Sequence, residues 1–321
     1  MKQGFILGTF DLLHKGHERL IQAARVQCDR LMIMVCQHPE TVVPGWQRYH
    51  WVKNSWPELE VVHCLGGVGQ AVARMEAHIA EEKILFDGLG KWSNLAHSAH
   101  FQYVSWRDQM AGLGPSTSVL REEPYTYWEE LLPLVRPLLV QRIALVGPES
   151  CGKSYLSEKL AGHFNTVFVE EYGRTYCEKF GMDSTDLDFA HVAGGQLYRE
   201  DEMALQANQW LFCDTELIVT QVWSEVYFKG RCQPWIYWAN HARRYTHFLL
   251  CAPDIPWVND GLREFEKDRD WMFERLREEL ECRELPYTLI SGSFDERWSK
   301  AVDAVKKLQE LKTNALQISF F

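Results

Sequence analysis

Residues 147–154 read Gly-Pro-Glu-Ser-Cys-Gly-Lys-Ser, set between a strand-like run, Arg142–Val146, and a helix-like run, Lys153–His163. A strand that ends in a glycine-rich turn and enters a helix aims several backbone N–H groups at one place. The helix N-terminus adds partial positive charge there. Such a turn holds phosphate. In this arrangement Lys153 reaches the transferred phosphate and Ser154 offers its hydroxyl to Mg²⁺. Gly147, Glu149, Ser150, Cys151 and Gly152 complete the cradle. The C-terminal half is therefore expected to be a P-loop α/β domain that binds a nucleoside triphosphate. Cys151 is read as a small residue fitted to a tight loop rather than as a reactive thiol.

A different phosphate signature opens the chain. Residues 5–17 read Phe-Ile-Leu-Gly-Thr-Phe-Asp-Leu-Leu-His-Lys-Gly-His. Phe5–Leu7 is expected as a strand and Arg30–Cys36 as a second, buried one. Between them His17–Gln27 is expected as a helix with Leu20, Ile21 and Ala24 on one side. The turn of this β-α-β unit carries Gly8, Thr9, Phe10, His14, Gly16 and His17. Gly16 lets the backbone approach a ligand closely. His14 and His17, three residues apart across a helix start, can face one anion.

The C-terminal half repeats the pattern of apolar runs ending in polar groups. Thr166–Val169 is followed by Glu170-Glu171-Tyr172-Gly173-Arg174, and Trp210–Cys213 by Asp214-Thr215. In open α/β sheets ligands bind at such strand ends. Glu171 is placed to accept a ribose hydroxyl proton. Asp214 lies where a Walker B aspartate would hold Mg²⁺ or its water, or where ribose hydroxyls would bind. Tyr172 either stacks on a ring or packs, and Arg174 either meets phosphate or lies at the surface. After the strand Phe248–Cys251 come Trp257, Asp260, Arg263, Lys267 and Arg269, a stretch that reads as a lid bringing arginines to the transferred phosphate. Residues 271–282 read as a helix, Tyr287–Ser291 as a last strand and Glu296–Lys312 as a last helix. The tail Asn314–Phe321 is either packed or a contact surface.

At 321 residues two domains are expected. The boundary falls in Glu122–Gln141, which Pro124, Pro133 and Pro137 interrupt and which is too apolar for a loose linker. This divides the chain into 1–121, a packed connector 122–141 that fixes the relation of the domains, and 142–321. A net charge of −10 speaks against a general nucleic-acid binder. Nine cysteines without a C-x-x-C pair fit neither a zinc site nor a disulfide framework, and point to reduced thiols in the cytoplasm. No leader and no apolar run of membrane length is seen, so no membrane partner is expected. Trp46, Trp51 and Trp56, five apart, are read as packing.

The opening segment resembles the HxGH nucleotidyltransferases, which have a Rossmann-like domain. In that superfamily the paired histidines stabilise the triphosphate while a substrate phosphate attacks the α-phosphorus of ATP or CTP. The resemblance implies a closing motif at Ser116–Arg121, with Ser118 and Arg121 on the phosphates. Followed by a P-loop kinase half, this order resembles the bacterial NadR family. Supporting segments are Leu120–Pro124, Phe164-Asn165-Thr166, Glu171–Arg174, Asp214-Thr215, Thr220-Gln221 and Trp257–Arg263. The resemblance implies two tandem parallel-sheet α/β domains and two activities. The second half would phosphorylate nicotinamide riboside with ATP and Mg²⁺. Glu171 would be its base, and Lys153 and Arg263 would stabilise charge. Tyr172, Arg174, Asp214, Thr215, Trp257 and Asp260 would meet substrate, and Arg269 the nucleotide. The first half would adenylylate nicotinamide mononucleotide to NAD, with His14, His17 and Arg121 on the triphosphate.

Three departures keep alternatives open. Leu12-Leu13 stand where adenylyltransferases carry a proline, and Gly8–His17 is closer there to cytidylyltransferases. The middle of the first half is short, with no clear counterpart of the family's nicotinamide-ring segment. Val43-Pro44 and Arg48 fit a family Val-Pro with trailing arginines, except that Gln47 replaces one of them. The alternatives are a kinase with a sensing or structural front domain, or a front domain that uses CTP or another acceptor. The chain begins almost at its first strand, without the family's helix-turn-helix segment, so no DNA-binding role is expected. Homo-oligomerisation stays open.

Overall fold

In a computed structural model of the chain, residues 1–106, 114–181, 185–243, 245–258 and 266–311 are described. They form two compact units, one within residues 1–135 and one within residues 136–311. Each is built on a five-stranded, wholly parallel sheet. Two tandem parallel-sheet α/β domains is the architecture expected from the sequence.

In the first unit the strands are β1 (Lys2–Gly8), β2 (Arg30–Cys36), β3 (Glu60–Cys64), β4 (Glu82–Asp87) and β5 (Gln102–Ser105), ordered β3-β2-β1-β4-β5. β1 and β2 are apolar almost throughout because helices cover both faces of a parallel sheet. Phe5, Leu7, Met32, Met34 and Leu85 form one face of the core against Ala71, Met75 and Ala96 of the covering helices. Strand order reverses between β1 and β4. A crevice at the carboxyl ends of these two is the expected ligand position. The first helix, Lys15–Arg25, begins before the predicted His17, since His14 caps it.

In the second unit β6 (Gln141–Val146), β7 (Val167–Val169), β8 (Trp210–Asp214), β9 (His247–Cys251) and β10 (Tyr287–Ile290) are ordered β10-β9-β6-β8-β7. β6 is central, with Leu145 opposite Asp214 and Val146 opposite Leu250. Alternate residues of β6 serve opposite faces. Ile143 and Leu145 pack with Leu156, Leu160 and Val305, while Ala144 and Val146 pack with Val222, Met272 and Leu276. The phosphate loop thus leaves the middle of the sheet, flanked by the ends of β8 and β9. No helix among the described residues is long and apolar enough to cross a membrane. Trp51 and Trp56 are buried, whereas Trp46 is exposed.

Candidate active sites

The loop after β6 is shaped by its backbone. Gly147 has φ +153° and Gly152 φ +83°, and Ser150 adopts φ +54°. A Cβ at Gly147 would lie 2.6 Å from the Cys251 carbonyl oxygen, so a side chain has no room. Two buried arginines pin the loop from outside. Arg297 donates to the carbonyls of Cys151 (3.0 Å), Ala252 (2.7 Å) and Gly292 (2.9 Å). Arg269 donates to the carbonyls of Ser150 (3.2 Å) and Ile255 (3.1 Å). Arg269 is therefore engaged with loop carbonyls in the described structure.

Lys153, at the first turn of the helix Lys153–His163, donates to the carbonyls of Gly147 (3.0 Å) and Pro148 (2.8 Å). Burial alone would push its ammonium down. Cys151, Glu171 and Asp214 around it more than offset that and hold it as a cation. Cys151 is buried inside the loop. Burial pushes its thiol up, but the bond with Cys251 and the charges of Lys153 and Arg297 carry it down to about 6.

A cleft of about 420 Å³ opens beside this loop. Glu149, Ser154, Glu171, Arg174 and Thr215 line it with the loop. Asp214, at the end of β8, is only 2 % exposed and lies beneath the lining. Burial first, and Glu171 second, push its carboxyl up to about 7, against Lys153 and a hydrogen bond with Ser154. Its Oδ1 is buried without a hydrogen-bond partner. Thr215 has φ +76°, rare for a β-branched residue and a mark of local strain at a site.

Gln196 joins the two strand ends. It is 1 % exposed, accepts from Tyr172 N–H at 2.9 Å and donates to the Thr215 carbonyl at 3.5 Å. Nothing in the sequence marked it, since its role comes from packing between elements far apart in the chain. The opposite wall of the cleft was likewise unmarked: Asp188 and Phe189 from the helix Asp186–Ala204, and Trp223 and Tyr227 from the helix Leu217–Tyr227.

Other predicted residues lie elsewhere. Tyr172 does not line the cleft. Its ring rests on the helix Asp186–Ala204, where a Cβ at Gly195 would meet it at 2.1 Å, and the Arg199 guanidinium lies over it at 4.8 Å. Trp257 is also outside the lining, with its indole nitrogen buried and unpaired. Asp260, Arg263 and the tail 314–321 lie outside the described residues.

In the first unit, the loop between β1 and the helix Lys15–Arg25 places both histidines together. His14 Nδ1 accepts from Gly16 N–H (3.1 Å), and His17 Nδ1 accepts from His14 N–H (3.3 Å). Their ring centroids are 4.1 Å apart. Burial, then Arg19, pushes His14 down to about 4. Burial, then His14, pushes His17 well below the usual imidazole range. Both are neutral at pH 7 and able to donate one N–H each.

His14 Nε2 is 3.1 Å from the hydroxyl of Thr117, so that hydroxyl, rather than Ser118, meets the pair. Ser118 instead shares a 2.7 Å bond with Ser116, which caps the short helix Thr117–Glu122. Arg121 lies 3.6 Å from Asp11. Asp11 in turn accepts from the N–H groups of Val42 and Val43 (3.0 and 2.9 Å). Arg48 is fully buried and donates to the carbonyls of Thr9, Cys36 (3.0 Å) and Val43 (2.9 Å). It therefore supports the loop from behind. Gly8, Thr9 and Phe10 form the turn, with Phe10 at φ +51° and its ring 5.0 Å from that of His17.

Comparison with known proteins agrees with this division. An AAA-domain family model matches residues 142–297, and a cytidylyltransferase-like model matches residues 5–53. The chain is 33% identical over 340 aligned residues, covering 95% of it and 83% of the relative, to the trifunctional NAD biosynthesis/regulator protein NadR of Escherichia coli (strain K12). Two solved structures share its fold. NadR protein in complex with NR has a TM-score of 0.79 at 20% identity, covering 99% of this chain and 98% of that one. NadR protein in complex with NAD and AMP-PNP has a TM-score of 0.77 at 19% identity, covering 98% of both chains. A sequence likeness of this extent, running through both sheets and both strand-end sites, makes the chain a member of the NadR family.

Proposed function

We propose that the second unit transfers the γ-phosphoryl group of ATP to the 5′-hydroxyl of nicotinamide riboside. The first unit then joins the mononucleotide to the AMP part of another ATP, giving NAD and pyrophosphate. The observation that carries this reading is two strand ends suited to phosphate, each in its own sheet, in a chain aligned with NadR over 95% of its length.

In the kinase unit Glu171 is the base. It lines the cleft, where a ribose hydroxyl can reach it, while Asp214 is sealed below. The hydroxyl proton passes to Glu171 as its oxygen bonds the γ-phosphorus, and ADP leaves with the bond that breaks. Lys153 stabilises the charge spread over the transferred oxygens. Asp214 and Ser154 fit Mg²⁺, because a buried carboxylate oxygen without a partner beside a loop-end hydroxyl suits an ion that takes few protein ligands. Bound there, the ion would neutralise β- and γ-phosphate charge. In the transferase unit the neutral imidazoles of His14 and His17 donate to triphosphate oxygens, and Arg121 adds a cation. No covalent intermediate is needed, so positioning supplies most of the rate. A cytoplasmic location is supported by the nine cysteines, all free thiols.

A second reading is kept for the first unit, use of CTP in place of ATP, because residues 5–53 match a cytidylyltransferase-like model. Incubation with nicotinamide riboside, Mg²⁺ and either ATP alone or ATP with CTP, followed by chromatography, decides between them. The proposal expects the mononucleotide to rise first and NAD to follow with ATP alone. A cytidine dinucleotide would favour the second reading. Mononucleotide that accumulates with no dinucleotide would reject both transferase readings.

A further inference from the structure

One charge in the kinase cleft is not used by phosphoryl transfer. Asp188 lines the cleft, and its carboxylate is held by three donors. The Thr185 N–H (2.6 Å) and hydroxyl (2.8 Å) donate to Oδ2, and the Tyr176 hydroxyl donates to Oδ1. The Tyr176 bond first, then those from Thr185, keep it ionised below the usual carboxylate range. Beside it stands an aromatic wall. Phe189 packs against Tyr227 at 5.5 Å and Phe228 at 5.6 Å, and Tyr227 lies 6.3 Å from Trp223. Phe189, Trp223 and Tyr227 line the same cleft as Lys153 and Ser154.

The other charges of this cleft are Glu149, Glu171, Lys153 and Arg174, and His191 acts on Asp188 from its own helix. Lys153 belongs to the phosphate loop. An anion set among aromatic faces attracts a flat cation twice, through its charge and through the ring quadrupoles. Carboxamide and carboxylate substituents on a pyridine ring are nearly equal in shape; they differ in charge and in the amide's N–H donors, and beside an anion both differences favour the amide.

We infer that this wall selects the net charge of the base: the cationic 3-carboxamide pyridinium riboside is accepted, and its zwitterionic 3-carboxylate analogue is refused by Asp188. The inference rests on the cleft being a riboside kinase site. Asp188 then determines specificity and takes no part in the transfer itself. A like-charge contact in such a site lowers kcat/KM for the carboxylate by about tenfold or more.

The test measures kcat/KM with nicotinamide riboside and with nicotinic acid riboside, at saturating ATP and Mg²⁺, for the intact chain and for Asp188→Asn. The wild type is expected to favour the amide by about tenfold or more, and the variant to bring the ratio within about threefold, losing on the amide and gaining on the acid. A residue that only caps its helix would lower both substrates in parallel and leave the ratio unchanged, which overturns the inference. Trp223→Leu gives a second readout should Asp188→Asn fail to fold: KM rises for both ribosides, which share the pyridinium ring, and an unchanged KM counts against the wall. Equal use of both ribosides by the wild type overturns the inference alone. Phosphorylation of neither overturns the kinase reading and the inference with it.

Discussion

His14 is buried and His17 half-buried, and each keeps its place by refusing a second proton. His14 has an ordinary value of 6.5 and is held down to about 4. Between those values the unfolded chain binds a proton that the native state does not. Stability is therefore full above pH 6.5 and falls as pH drops through the window, by on the order of 3 kcal/mol from this residue. A series of melting curves from pH 4 to pH 8 checks this: His14→Gln should flatten the acid side, and an unchanged slope would place the acid loss elsewhere. At the other site, Lys153→Ala should reduce kinase kcat by about 10²–10³ and leave NAD formation from added mononucleotide intact. Glu171→Gln should reduce kinase kcat by about 10²–10⁴, with little change in ATP affinity. The phosphate loop and the histidine pair could be read from the sequence because neighbours along the chain make them. Gln196 and Thr117 could not, because each gains its meaning from a partner distant in the chain, and Asp188 could not, because the cleft it lines is closed by Trp223 and Tyr227 from a later helix. Arg269, expected on the nucleotide as a lid arginine, is held by the carbonyls of Ser150 and Ile255, and Ser150 is too far away in the chain for that contact to be read from its neighbours.

At the scale of elements, the helix Phe294–Leu311 and the phosphate loop act as one piece through Arg297. Arg297→Ala leaves buried carbonyls without donors, and should cost about 1–3 kcal/mol in a urea melt and weaken ATP binding as well. Gly147→Ala is the sharper change. Its φ is unfavourable for alanine, and the atom it would strike is backbone that cannot swing away. Loss of ATP binding with a stability loss of about 1–3 kcal/mol is expected, read by calorimetry and melting together. The buried strands β1, β2, β6 and β8 were legible as apolar runs, since both faces of a parallel sheet are covered. β3 and β5 lie at the sheet edge, are short and carry few buried residues, and β4 lacks a motif at its end. These three strands were not anticipated for that reason.

At the scale of the whole molecule, the proposed function gives the two units one chemical need, to hold a triphosphate at the carboxyl end of a parallel sheet, with different residues. The second uses a glycine-rich loop and a lysine. The first would use the imidazoles of His14 and His17 and the hydroxyl beside them. The two should therefore be separable by substitution within the intact chain. The most direct test is calorimetric titration of the chain with a non-hydrolysable ATP analogue and Mg²⁺. The account predicts two sites in the wild type, loss of one with Lys153→Ala, and loss of the other with His14→Ala and His17→Ala combined. A single site in the wild type, or a stoichiometry that neither change alters, would contradict it.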